Sequence, residues 1–221
     1  MKKTAAEGKS IPKPAKGKIR ENVEALVIAI ILALFIRAFV IQAFKIPSGS
    51  MENTLLVGDY ILVNKFIYGV KVPFTDFTIV PIKDPKRGEV IVFKYPGDPS
   101  KDYIKRVVAV GGDKLEIRDK KVYVNGELQK SDFAKFIDPR ILSGPARIGG
   151  IDSRRDNFGP ITVPEGKLFM MGDNRDSSND SRFWGFVDKS AVRGRAILIY
   201  WSWDKDKKTK VRWDRLGDLI R

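Results

Sequence analysis

The chain contains neither cysteine nor histidine among its 221 residues. Without Cys there is no disulfide framework, no thiol nucleophile and no thiolate metal site. Without His, the Ser-His-Asp triad, Cys-His pairs and the usual zinc-hydrolase ligand sets are excluded. A hydroxyl nucleophile in this chain must therefore be activated by a Lys, by a carboxylate or by the terminal amine.

Positive charge dominates the chain, with a net charge of +14, and it is concentrated near the N-terminus. Residues 1–20 hold seven Lys or Arg against one Glu, among Pro and Gly. This composition predicts a disordered basic tail over residues 1–22. The charge favours solubility and attraction to anionic membrane lipid. Nucleic acid is not an expected partner, because no base-reading or phosphate-loop motif accompanies the charge.

One long apolar run follows this tail. Residues 23–43 would span about 31 Å as a helix, which matches the core of a bilayer. A buried core helix and a cleaved secretion signal are the alternatives. The run is apolar on every face and lacks a small-x-small exit, which favours an uncleaved anchor. The basic flank then predicts a single span in the cytoplasmic (inner) membrane, with the N-terminus in the cytoplasm and the remainder on the outer face.

Beyond the anchor, short Val, Ile, Tyr and Phe runs between Pro- and Gly-rich turns predict a mainly β protein. The Asp119-Lys120 pair between two alternating runs predicts a hairpin. Residues 131–160, rich in Gly, Pro and Arg, are expected to form a long surface excursion. The predicted strands cover residues 60–65, 89–93, 103–110, 114–117, 121–124, 167–171 and 195–201.

Three polar segments are candidates for chemistry, and the first lies directly after the apolar run. In residues 46–51, Pro and Gly surround Ser48 and Ser50. Such a turn can present a hydroxyl and a backbone N–H together, although a Ser-Gly-Ser sequence is more often a plain turn.

The second segment, residues 102–110, reads as a strand. Alternation places Lys105 on one face with Tyr103, Val107 and Ala109, and Arg106 on the opposite face. Burial would lower the pKa of Lys105 and yield a neutral amine that can act as a base, which an Arg cannot do. The alternative is an edge-strand Lys that reaches out to water.

The third segment, residues 171–185, is dense in polar side chains. Asp173, Asp176 and Asp180 would suit calcium, but the interspersed Arg175 and Arg182 and the lack of a bidentate Glu argue against it. A salt-bridged supporting loop is the preferred interpretation. The sequence therefore predicts no metal site and no cofactor.

These segments together resemble bacterial type I signal peptidases, also called leader peptidases. The similarity covers nearly all of the chain from residue 44 onward. The family usually has Pro two positions after the Met of the first motif, where this chain has Asn53. The motifs that carry the resemblance are PSGSM at 47–51, LLVGDYILVNKF at 55–66, RGEVIVFKYP at 87–96, YIKRVVAVGGD at 103–113 and GDNRDSSNDSRFWGFV at 172–187.

The resemblance implies a role for each matching residue. Ser50 corresponds to the nucleophile and Lys105 to the general base. Ser48 corresponds to the side-chain donor of an oxyanion hole that the Ser50 N–H completes. The supporting residues that it implies are Ser178, which orients the lysine amine, and the ion pair of Asp180 with Arg182.

The resemblance also implies an overall plan. An N-terminal transmembrane helix precedes an antiparallel β catalytic domain, residues 44–113 and 166–221, and a smaller β domain is inserted at 114–165. The activity would be a membrane-bound serine endopeptidase that cleaves signal peptides from secreted preproteins after small residues at −1 and −3. The alternatives are a LexA-type self-cleaving peptidase and a non-catalytic, membrane-tethered binding module. The implied substrate-binding residues are Phe44, Ile46, Pro47, Met51, Leu55, Ile61, Tyr103 and Ile104.

Overall fold

The computed structural model describes residues 17–71, 78–143, 147–148, 151–204 and 210–221. Most of the predicted basic tail lies outside these residues. The last part of the predicted tail is helical rather than disordered. Helix α1 (Lys18–Phe39) begins within it and has Glu21 in its first turn. An acidic residue at this position complements the partial positive charge of a helix N-terminus.

The apolar run does not form a helix over residues 23–43 as predicted. Helix α1 ends at Phe39, and residues 41–45 form strand β1 (Ile41–Lys45). This strand pairs with β2 (Asp59–Asn64), Phe44 lying opposite Ile61. Pairing with β2 thus provides hydrogen-bond partners for backbone N–H and C=O groups that the prediction placed in the helix. In the part of the chain that the structure describes, no helix combines the length and apolarity needed to cross a membrane.

A seven-stranded antiparallel sheet holds the segments of chemical interest. The strands neighbour one another out of sequence order, so the sheet joins residues that are far apart in the chain. In spatial order they are β1, β2, β15 (Val192–Ser202), β5 (Val90–Tyr95), β6 (Asp98–Val110), β13 (Lys167–Met171) and β14 (Val187–Asp188).

A second, four-stranded sheet is built entirely from residues 114–162. Its strands, in spatial order, are β12 (Phe158–Thr162), β7 (Lys114–Arg118), β8 (Lys121–Val124) and β9 (Glu127–Leu128). The remaining elements are the strand pairs β3 (Gly69–Lys71) with β4 (Thr78–Pro81) and β10 (Arg147–Ile148) with β11 (Ile151–Asp152), and the single-turn helix α2 (Ser181–Trp184).

The mainly antiparallel β class is confirmed, and each of the seven predicted strands overlaps an observed one. The predicted hairpin is confirmed as well. Asp119 and Lys120 have φ of 49° and 67°, the pair of positive values that a two-residue type I′ turn requires. The division into a catalytic and an inserted domain stays a prediction.

A bulge in β6 changes which face Ala109 occupies. Met170 pairs with Val107, whereas Phe169 pairs with Ala109, so Val108 is the extra residue in β6. Phe169 and Met171 are two residues apart on β13 and therefore share a face, which puts Ala109 on the face of Arg106. The predicted grouping of Ala109 with Lys105 is wrong. The predicted grouping of Val107 with Tyr103 is confirmed, because both residues pack in one hydrophobic cluster.

The described part of residues 131–160 is not simply a surface excursion. The Lys135 N–H donates to the Asp173 carbonyl at 2.7 Å, and the Arg175 N–H donates to the Lys135 carbonyl at 2.9 Å. Arg155 and Asp156 are buried and paired with each other. The segment therefore packs against the polar loop that follows β13.

Candidate active site

The Ser50 hydroxyl is carried by a tight turn between β1 and β2. Gly49–Met51 form one turn of 3-10 helix, and Ser48 precedes it in extended conformation. Met51 is fully buried, and its carbonyl accepts hydrogen bonds from the N–H groups of Thr54 and Leu55. The apolar Met51 side chain thus anchors the turn in the core while Ser50 stays half-buried at its surface.

Lys105 reaches Ser50 from the middle of the main sheet. Its backbone lies opposite Ile91 of β5, and its side chain is only 4% exposed. The Nζ atom donates to Ser50 Oγ at 2.6 Å and to the Ile104 carbonyl at 3.1 Å. A nucleophile and a base in direct hydrogen-bonding contact are what hydroxyl activation without His requires.

Burial sets the protonation behaviour of this amine. Desolvation lowers the pKa of Lys105 to about 8, and the negative charges of Asp180 and Asp173 only partly oppose that shift. At pH 8 about half of the Lys105 amines are therefore neutral and able to accept a proton. An exposed Lys would be almost entirely protonated at that pH.

The loop after β13 packs directly against the Ser50 turn. The Asn174 N–H donates to the Ser50 carbonyl at 3.2 Å. A side chain at Gly172 would collide with the Ser50 carbonyl oxygen and with the Ser178 hydroxyl, so only glycine allows this approach. The nucleophile turn and the polar loop thus form one packed unit.

Asp180 and Arg182 form a buried ion pair in this loop, as the sequence resemblance implies. Arg182 Nε and Nη2 donate to the two Asp180 oxygens at 2.8 and 2.9 Å, and both side chains are about 1% exposed or less. Asp180 also accepts the Gly172 N–H at 3.0 Å. Burial alone would raise the pKa of Asp180, but the Arg182 charge and these hydrogen bonds hold it below its ordinary value.

A second buried ion pair, between Arg106 and Asp173, was not predicted. Arg106 Nε and Nη2 donate to the Asp173 oxygens at 2.8 and 2.7 Å, and Thr54 Oγ1 donates to the same carboxylate at 2.6 Å. The signal was present in the sequence, since an Arg within an apolar strand needs a buried partner. The pair links β6, the polar loop and the segment after the Ser50 turn.

The sequence matches that of a known protein family. Residues 19–201 match the family model described as signal peptidase, peptidase S26. The chain belongs to the signal peptidase family. It is accordingly a hydrolase of the serine endopeptidase type.

Relatives carry the same family name. The chain is 37% identical to a signal peptidase I of Pseudomonas aeruginosa over 84% of this chain and 74% of that protein. It is 36% identical to a signal peptidase I of Aquifex aeolicus over 83% of this chain and 85% of that protein. A crystal structure of a signal peptidase I from Enterococcus faecalis V583 has a TM-score of 0.39 and 31% sequence identity, covering 52% of this chain and 97% of that one.

Two of the serines implied by the family resemblance sit differently from Ser50. Ser48 is exposed and makes no capping hydrogen bond to the turn, so its hydroxyl is open to a bound molecule. Ser178 is buried, and its Oγ has no hydrogen-bond partner among the described residues, so its predicted role in orienting the Lys105 amine stays a prediction.

The residues that the resemblance implies for substrate binding separate into two groups. Phe44 and Ile104 are half-buried at the edge of a hydrophobic cluster, Tyr103 is half-buried beside another, and Pro47 is exposed. The remaining four are at most 2% exposed and form part of the core, where they support the site from behind rather than face solvent: Ile46, Met51, Leu55 and Ile61.

Asn53, which replaces the usual Pro of the family, adopts a backbone conformation that Pro cannot reach. Its φ is 98°, whereas a Pro ring holds φ near −65°. The Asn53 Nδ2 donates to the Phe133 carbonyl at 3.1 Å. The Asn53 side chain therefore ties the turn to Phe133.

Proposed function

We propose that this chain removes N-terminal signal peptides from exported preproteins, with Ser50 and Lys105 as its catalytic dyad. The 2.6 Å contact between Lys105 Nζ and Ser50 Oγ carries the proposal. The contact lies in a site where burial favours the neutral amine.

Catalysis would begin with proton transfer from Ser50 to the neutral Lys105 amine. The Ser50 oxygen attacks the scissile carbonyl and forms a bond to its carbon, giving a tetrahedral oxyanion. Lys105 then delivers its proton to the leaving amine as the peptide bond breaks, and an acyl-enzyme remains. Water, deprotonated by the same Lys105, hydrolyses the ester and restores Ser50.

Two donors would stabilise the oxyanion. The exposed Ser48 hydroxyl precedes the turn, and the Ser50 N–H lies within it. Each such donor contributes roughly 3–4 kcal/mol to transition-state stabilisation. Ser178 and the Asp180–Arg182 pair would act indirectly, by holding the loop and its charge near the lysine.

Cleavage should depend on a small residue at −1 of the substrate. With full-length protein in detergent, we expect a −1 Phe variant of an Ala-x-Ala preprotein to lose roughly 100-fold or more in kcat/KM, because a shallow pocket cannot hold the ring. Equal rates for the two substrates would refute the pocket assignment. Binding of both without any shortened product would instead indicate a non-catalytic binding module.

The pH profile should report the lysine. Only neutral Lys105 can accept the Ser50 proton, so kcat/KM should rise about tenfold per pH unit below the lysine pKa of about 8 and level off above it. Steady-state cleavage measured from pH 6 to 10 tests this expectation. If kcat/KM instead rises at a pH near the ordinary pKa of a carboxyl group, then a carboxylate is the base.

We also propose that the apolar segment around α1 anchors the chain in the cytoplasmic membrane. Between residues 23 and 36, the Val, Leu, Ile and Phe side chains of α1 are 41–61% exposed. Side chains of this kind gain by transfer into lipid. The basic flank at residues 1–20 favours retention of the N-terminus in the cytoplasm.

This topology predicts the outcome of a protease-accessibility experiment. Protease added to intact spheroplasts should digest the region beyond residue 45 and spare an N-terminal tag, because only the former would lie outside. Inverted vesicles are the control, in which the tag should be lost and the catalytic region protected. The opposite pattern would reverse the proposed orientation.

A further inference from the structure

A small cationic cavity lies on the Arg106 face of β6, between the two sheets. Its volume is about 180 Å³. Basic, uncharged polar and apolar residues line it, Gln129 and Ser131 among them, and none of the lining residues carries a side-chain carboxylate. The lining that matters here is Arg87, Arg106 and Arg175 with Val108, Val122 and Phe133.

The charge of Arg175 has no counterion in this cavity. Arg175 is 3% exposed, and its guanidinium makes no hydrogen bond or ion pair to any group that the structure describes. Its neighbours Arg106 and Arg182 are already neutralised by Asp173 and Asp180. Burial, followed by the nearby Arg182 charge, lowers the pKa of Arg175 to about 10, and the charges of Asp173 and Asp180 oppose that shift only in part. A buried and unpaired guanidinium is strongly unfavourable unless something pairs with it.

The surroundings of Arg175 would strengthen the binding of an anion. The Phe133 ring lies 3.7 Å from the Arg106 guanidinium carbon and 5.9 Å from that of Arg175, and so covers both groups. Apolar walls reduce the local dielectric, which strengthens charge pairing. Arg87 at the rim is about half exposed, and its nearest carboxylate contact, to Asp113, is long at 3.8 Å.

We infer that this cavity binds a small phosphate-like oxyanion, with Arg175 as its buried counterion and Arg87 at the entrance. The planar guanidinium presents several donors in a fork that suits such oxygens. The site is separate from the dyad, since Arg106 and Lys105 point to opposite faces of β6, and it does not depend on the proposed function.

Inorganic phosphate is the probe for this site. Full-length protein in non-ionic detergent is melted at increasing phosphate and constant ionic strength, with sodium chloride as the balance. We expect a saturable rise in Tm for the wild type, because a ligand that binds only the folded state stabilises it. The apparent Kd should rise about tenfold or more in Arg175→Gln, the size expected for loss of a charged hydrogen bond.

Two further variants keep the test decisive. Arg87→Gln should also weaken phosphate binding, and it leaves the buried loop intact if Arg175→Gln fails to fold. Arg118→Gln is the matched control, because it removes one exposed positive charge on β7 outside the cavity. No saturable phosphate effect in the wild type, or equal weakening in all three variants, would overturn the proposal.

A lipid phosphate and a free phosphate are distinguished in a second arm. Mixed micelles containing phosphatidylglycerol are compared with micelles containing a neutral lipid lacking phosphate. A lipid headgroup would be the source if the rise in Tm with phosphate disappears in phosphatidylglycerol micelles alone. That loss should depend on Arg175. An unchanged response would identify the free anion.

Discussion

Replacing either Ser50 or Lys105 by Ala should lower kcat/KM for preprotein cleavage by at least about 10⁴-fold. Each change removes one half of the 2.6 Å contact that activates the hydroxyl. The Ser50→Ala/Lys105→Ala double variant should be no worse than either single variant, because the two residues act as one unit. Initial rates with purified full-length variants measure these effects.

Two lysine variants make this test specific. Lys105→Arg should be nearly as inactive as Lys105→Ala, since a guanidinium keeps its proton at working pH. Lys101→Ala is the control on the same strand, because Lys101 is exposed and pairs with Asp98 at the surface. Near wild-type cleavage by Lys105→Arg, with Ser50→Ala inactive, would show that Lys105 is not the base. Asp173 or Asp180 would then be reconsidered.

The residues of the dyad could be predicted from sequence because the motifs at 47–51 and 103–113 resemble those of signal peptidases. Local signals alone left both roles open. The lack of His leaves few ways to activate a hydroxyl, and strand alternation sets Lys105 apart from Arg106, but a Ser-Gly-Ser sequence is more often a plain turn. The contact itself was not accessible from local patterns. Ser50 and Lys105 are 55 positions apart, and only the order of the strands in the main sheet brings them together.

Predictions failed where tertiary contacts override local pattern. Alternation cannot foresee the extra residue at Val108, so Ala109 was assigned to the wrong face. Hydropathy cannot distinguish the last turn of a helix from the start of an edge strand, so the predicted helix includes residues 41–43, which belong to β1. The hydrogen bond from Asn53 to Phe133 joins residues 80 positions apart, so no local pattern indicates it.

The segment read as a surface excursion supports the site through ionic contacts. Asp176 accepts the N–H groups of Ile137 and Asp138 at 2.8 Å and pairs with Lys120 Nζ at 2.9 Å. Arg182 donates to the Arg155 carbonyl at 2.6 Å. The Gly and Arg content of the segment suggested exposure, but these contacts pair it with groups of the polar loop. The second sheet thus helps to hold the loop that carries Asp180.

Removing the Asp180 charge should therefore be among the single changes that most reduce the free energy of unfolding. Asp180→Asn leaves Arg182 buried without a counterion, which typically reduces the free energy of unfolding by about 3–5 kcal/mol. For a chain of this size that corresponds to a fall in Tm of roughly 6–20 °C. Asp188→Asn is the matched control, because its pair with Lys167 is exposed and worth about 1 kcal/mol or less.

Asp180→Asn should also change the pH dependence of whatever activity remains. The Asp180 carboxylate favours the protonated amine of Lys105 and so raises its pKa against the effect of burial. Without that charge the lysine pKa falls, and the rising limb of kcat/KM should move to lower pH, at a temperature where the variant is folded. A purely structural role would reduce the rate without moving the limb. If the limb stays in place and stability matches that of Asp188→Asn, the buried pair neither supports the loop nor tunes the base.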